Sequence, residues 1–163
     1  MKNIYIFILL YIYLSFCDWY IHKYIMHNDN TILKILRVKH KIHHIEELGI
    51  INNNHTALIF TYFETLCVSI ITFIPVFIFC YNKNKFFFIF YFLLIFTGIG
   101  IHNYCHTKFH KYNNKNNNYI KISVPNFLYK IIKNHHKKHH INPKSNFCVV
   151  FLGFDNIIGT NMR

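Results

Sequence analysis

Three apolar stretches alternate along this chain with four tight clusters of histidine. The stretches run from Ile4 to Ile21, from Ala57 to Tyr81, and from Phe86 to Ile101, the last able to continue helically through the next histidines to residue 104. Crossing a bilayer takes about 20 mostly apolar residues, and lipid offers no partner to an unpaired backbone group. A chain so patterned is expected to be all-α, an integral membrane helical bundle of three spans, approximately 4–21, 57–81 and 86–104. The connection Asn82-Lys83-Asn84-Lys85 is short enough to close the second and third spans into a helical hairpin. At 19.8 kDa, 53% hydrophobic and 19% aromatic, residues 1–163 make one domain, too apolar for disorder. Lys2 and the run Ile4 to Tyr13 have the outline of a signal peptide. No small-residue cleavage site follows, and Asp18-Trp19-Tyr20-Ile21-His22 carries the pattern straight on, so an uncleaved span is expected.

The clusters read His22-KYIM-His27, His40-KI-His43-His44, His102-NYC-His106-TKF-His110 and His135-His136-KK-His139-His140. With 13 histidines in 163 residues, any fixed three-histidine spacing is expected ~0.08 times by chance, and H-x-x-H-H occurs twice. Residues three and four apart share a helix face. His40, His43 and His44 therefore point one way, as do His136, His139 and His140, while His102, His106 and His110 form a single stripe. His22 and His27, five apart, fall about 140° apart on an ideal helix, so they need two different metals or a break in the winding. Neutral imidazole is the commonest protein metal ligand, and the two triplets with the remaining pairs can surround two metal ions. For the lone His55 and for His135 a solvated polar face is the simpler reading.

Imidazole suits Zn, Cu, Fe and Ni alike, so ligand type leaves the metal open. With only six acidic residues in the chain, a di-metal site here is nearly all-histidine. Ring-orienting acceptors are sought among Asp18, Glu46, Asn103 and Asp155, the nearest in sequence. The five cysteines show no C-x-x-C spacing, and Asn113 to Asn118 is a low-complexity loop.

Lys23, Lys34, Arg37, Lys39 and Lys41 lie between the first two spans, and ten further Lys and Arg follow the third, against two in the hairpin loop. The positive-inside bias puts both basic segments, with all four histidine clusters, on the cytoplasmic face. The net charge of +12 is read as attraction to anionic headgroups, with no nucleic-acid partner, because the aromatics lie mostly in the spans.

In order and spacing the boxes resemble the fatty acid hydroxylase and sterol desaturase superfamily of integral membrane oxygenases, from about Asp18 to Thr160. "DWYIHKYIMH" is similar to that family's opening box and "KHKIHH" to its second. "NHHKKHHINPKSNF" followed by "GFDNIIGT" is similar to its close, with Cys148 where the family usually has Gly and Phe154 where Trp is common. The resemblance implies cytoplasmic helices carrying a di-iron site (zinc being another occupant) at an endoplasmic-reticulum-type membrane. It also implies O2 as co-substrate and electrons from an external reductase or cytochrome b5. The reaction implied is hydroxylation or desaturation of a fatty acyl chain, a sterol or a similar lipid. Carried over by position, the ligands are His22, His27, His40, His43, His44, His102, His106, His136, His139 and His140, with His110 the alternate because His106–His110 repeats the third-box spacing. No catalytic group beyond the ligands is implied. Two further readings remain: a family member that binds metal without turnover, and a histidine-rich metal transporter or buffer. The latter needs ionisable groups inside the spans, where Glu64 is the candidate.

Overall fold

The computed structural model describes residues 2–31, 33–47, 59–80, 85–110 and 119–162, and every regular element among them is helical. Helix α1 covers Lys2–Tyr20 and passes directly into a π-helical turn, Ile21–Met26. Helices α2 (Lys34–Glu47), α3 (Tyr62–Cys80), α4 (Lys85–Phe109), α5 (Asn126–Ile141) and the short α6 (Phe154–Ile158) follow. His55 and most of the hairpin loop lie outside the described residues.

Aromatic pairs fix how the long helices lie. Phe77 meets Phe88 and Phe73 meets Phe92, with ring centroids 5.8 and 4.6 Å apart, while Phe60 just before α3 bonds to Asn103 late in α4. Helices α3 and α4 are therefore antiparallel. Phe7 packs on Phe90 at 5.0 Å and Tyr13 lies near Tyr91, so α1 runs parallel to α4. Leu10, Leu14, Val76, Tyr91, Ile95 and Ile99 form the shared core. The outward faces expose Ile4, Leu9, Phe63, Ile70, Ile74, Ile78, Ile89 and Leu93, a surface suited to hydrocarbon and costly in water. Among the described residues, two helical segments, Ile4–Met26 and Phe88–Phe109, are long and apolar enough to cross a membrane, by length and composition.

Helix α3 is shorter than the apolar run that contains it. It starts at Tyr62, five residues after Ala57, because Thr61 and Glu64 form a capping box. The Glu64 N–H donates to Thr61 Oγ1 at 3.3 Å and the Thr61 N–H donates back to Glu64 Oε2 at 2.9 Å. Glu64 also pairs with Lys39 of α2. The one carboxylate within the apolar run is thus tied into a helix start and an ion pair. The 25 residues of α4 reach about 37 Å, longer than a hydrocarbon core, and its last two turns carry the third histidine cluster. Because α1 and α4 run the same way and α3 the other, all four clusters gather at one end of the bundle.

Candidate metal centre

Two groups of imidazoles meet at that end. His22, His27, His40, His44 and His139 form the first, and His43, His110, His136 and His140 the second; within each, one ring nitrogen per residue lies within 4.8 Å of all the others. Helix α2 serves both: His40 and His44 face the first group and His43 the second, while α5 contributes His139 to one and His136 with His140 to the other. The π-helical turn supplies the break that the spacing of His22 and His27 calls for. Its i+5 hydrogen bonding, seen from His27 N to His22 O at 3.2 Å, sets residues five apart one above the other. The two rings accordingly stack 5.1 Å apart at 26°.

In the first group the Nε2 atoms are ligand-spaced. His22 to His40 is 3.0 Å, His40 to His27 2.9 Å, His40 to His44 3.0 Å, His27 to His139 3.1 Å and His44 to His139 3.2 Å. Nitrogens bound to one ion at about 2.1 Å and 90° apart are separated by about 3 Å, so these edges fit a shared cation. In the second group His43 to His140 is 2.9 Å and His140 to His136 is 2.8 Å. His110 sets its ring edge-on to His43 at 4.6 Å.

The third cluster divides. His110 joins the second group, and His106 lies against it, 4.4 Å from the His136 ring and 5.3 Å from His43. His106 is buried, with neither ring nitrogen in a hydrogen bond, an arrangement that costs free energy unless something binds there. His102 stacks on His106 at 4.1 Å, farther from both groups.

The rings are held neutral. Burial, then repulsion from neighbouring imidazoles, pushes His40, His43 and His136 well below the usual histidine range. Burial takes His27 and His44 down to about 4 and His139 to about 3. Metal ligation requires the neutral form, so converging, unprotonated lone pairs meet the chemistry of a metal site.

The expected ring-orienting carboxylates act at one remove. Asp18 Oδ2 accepts the backbone N–H groups of Val149, Val150 and Phe151 at 2.9, 2.9 and 3.0 Å. Fully buried Asp155 accepts from Phe147 N at 3.0 Å, Cys148 N at 2.7 Å, Thr160 Oγ1 at 2.6 Å and His135 Nε2 at 3.1 Å. Burial opposes its ionisation, but these donors outweigh burial and hold its pKa well below the usual carboxylate range. His135, expected on a solvated face, is instead engaged by Asp155 and Asn146. Asn103 donates to the carbonyls of Phe60 and Ile120 and accepts from Phe60 N, a chain clamp with only a 3.5 Å approach to His102. The side chain of Glu46 lies outside the described residues.

The fatty acid hydroxylase family model matches residues 7–160. The chain belongs to the fatty acid hydroxylase family. No curated protein and no solved structure matches it.

The chain carries a cleft of about 720 Å³, open mouth included, between α1, α3 and α4. Its walls are almost wholly apolar: Leu14, Val68, Ile95, Ile99 and Phe151 among others. His22, His40, His102 and His106 also line it. Where the family usually has Gly, Cys148 is buried with its thiol 3.6 Å from Ser15. Phe154 packs its ring on Trp19 at 5.3 Å and on Phe16 at 5.2 Å.

Proposed function

We propose that this chain is an O2-dependent di-iron lipid oxygenase that hydroxylates, in preference to desaturating, an unactivated C–H bond of a fatty acyl chain, sterol or similar lipid. The observation that carries the reading is the junction of an apolar cleft with the histidine groups: His22 and His40 belong to a metal-spaced group and also line the cleft. His22, His27, His40, His44 and His139 would hold one ion. His43, His136 and His140 would hold the other, with His106 and either His102 or His110. Five converging imidazoles exceed the four ligands of a structural zinc site, which favours iron as occupant. Bound iron would supply the reduction of O2 and the oxidising power for the C–H bond. The chain itself supplies a dry approach, in which Leu14, Val68, Ile95 and Ile99 receive hydrocarbon without specific polar contacts and exclude water from the imidazole end. Overall, R–H, O2, two electrons and two protons give R–OH and water. The electrons would come from a separate reductase or cytochrome b5 docking on the face that carries the histidine groups. That face is cytoplasmic, at an endoplasmic-reticulum-type membrane.

The test is metal content and product. Protein purified in detergent should hold two metals per chain, and a His43→Ala/His139→Ala variant one or none. With iron, reductant, O2 and pooled lipids, mass spectrometry should find a lipid that has gained one oxygen, or lost two hydrogens if desaturation prevails. A stably folded, metal-free wild type refutes the reading.

A further inference from the structure

Resting on that reading, we infer that the two histidine groups are inequivalent. The C-terminal loop pre-sets the first for metal through two backbone carbonyls, and Asp155 is the positioning residue that holds the loop in place. The Phe147 carbonyl lies 2.6 Å from His22 Nδ1, and the Ser145 carbonyl lies 2.7 Å from His139 Nδ1. A carbonyl only accepts, so each Nδ1 carries the proton and each Nε2 keeps its lone pair. Both Nε2 atoms face into the first group, at 3.0 Å from His40 and 3.1 Å from His27. Tautomer and ring angle of two ligands on different helices are thereby fixed before any ion arrives.

Between the two carbonyls stands Asn146, the one described non-glycine residue with positive φ, at 54°. Its left-handed turn lets Ser145 and Phe147 present their carbonyls to one site. Asn146 is itself tied down, donating to Asn161 Oδ1 at 2.9 Å and accepting from Met162 N at 2.8 Å. On the far side of Phe147, Asp155 takes the Phe147 and Cys148 N–H groups, and Asp18 takes the next three. Asp18 stands one turn before His22 on α1, so helix, carboxylate, loop carbonyl and ligand close a ring. The second group differs at its most buried α5 member: His136 Nδ1 is enclosed without a hydrogen-bond partner, and its ring orientation has no such lock.

Loading with Co2+ alone, followed by a chelator chase, reads the difference without catalysis. Wild type should bind two ions and release them in two phases. A His136→Ala variant should lose the fast ion and keep the slow one. Asp155→Asn, with folding checked by helical circular dichroism, should convert the slow ion to fast release and weaken it about 10–100-fold, with an altered Co2+ absorption band. Should Asp155→Asn not fold, Thr160→Val removes one of the four donors to Asp155 and should quicken the slow phase more mildly. Two ions leaving wild type in a single phase, or a slow phase untouched in the folded Asp155 or Thr160 variant, overturns the inference while leaving the proposed function standing. A folded wild type that binds no Co2+ removes both.

Discussion

Gly98 of α4 lines the cleft against Phe151, and replacing it by Ala tests how the loop and the bundle fit together. A Cβ at 98 would stand 2.5 Å from both Cε2 and Cζ of Phe151, against about 3.5–4.0 Å for ordinary carbon contact. The ring must retreat by about 1 Å. Its backbone cannot follow, because the Phe151 N–H is held 3.0 Å from Asp18 and its carbonyl accepts from Ser15. The adjustment falls on the side chain, which lines the cleft beside Tyr11. Overpacking of this kind costs about 1–3 kcal/mol, offset by about 1 kcal/mol from replacing Gly with Ala within a helix. Gly98→Ala should therefore lose up to about 2 kcal/mol, a fall of up to about 4–8 °C in thermal midpoint for a chain of this size. Phe151→Leu alone opens a small cavity and also destabilises. In the double variant the clash is gone, so its loss should fall short of the sum of the two single losses by about 1 kcal/mol or more. Thermal unfolding of the four proteins in detergent gives the cycle, and Co2+ loading at two ions per chain should stay constant throughout. Additivity within about 0.5 kcal/mol would refute the packing argument.

Three further outcomes follow from the same geometry. Acid should destabilise the metal-free protein. His27 and His44 titrate near about 4 and His139 near about 3 when folded, against 6.5 unfolded. Their stabilisation is therefore complete above pH 6.5 and is lost as pH falls, by at most about 1.4 kcal/mol per unit for each ring. Equal midpoints at about pH 7 and about pH 5 would contradict this. Glu64→Ala, which removes both the α3 capping box and the pair with Lys39, should cost about 1–2 kcal/mol, whereas Glu64→Gln keeps an acceptor for the Thr61 N–H and should cost less; equal losses would show the cap contributes nothing. Asn103→Ala strands the Phe60 N–H and the Phe60 and Ile120 carbonyls in a part-buried setting, at up to about 1–3 kcal/mol each, so the yield of folded protein in detergent extracts should fall sharply; a yield like wild type would show that water replaces the side chain there.

What the chain's sequence made legible was whatever depends on periodicity. Apolar runs marked α1 and α4, and the two H-x-x-H-H boxes announced faces that helices α2 and α5 do present. The five-residue spacing of His22 and His27 demanded a departure from α winding, and a π-helical turn is that departure. The start of α3 was written as Thr61-Tyr62-Phe63-Glu64, yet hydropathy alone ran the segment back to Ala57, because apolar content persists where capping chemistry ends a helix. The third box could not be resolved by spacing: His102, His106 and His110 repeat every four residues, so the choice depends on depth along α4. His102 and His110 are about 12 Å apart on that axis, and the His136 ring of α5 meets the stripe between His106 and His110, 4.4 and 5.8 Å from their rings. Least legible was the loop. A carbonyl leaves no mark in a sequence, and the contacts that aim those of Ser145 and Phe147 come from Asp155 close by and from Asp18, which is 131 positions before Val149. The histidine groups were readable because side chains bear the chemistry; the orientation of their rings was not, because backbone bears it. Substitutions that spare every histidine but disturb residues 145–161 should therefore impair metal retention as surely as loss of a ring.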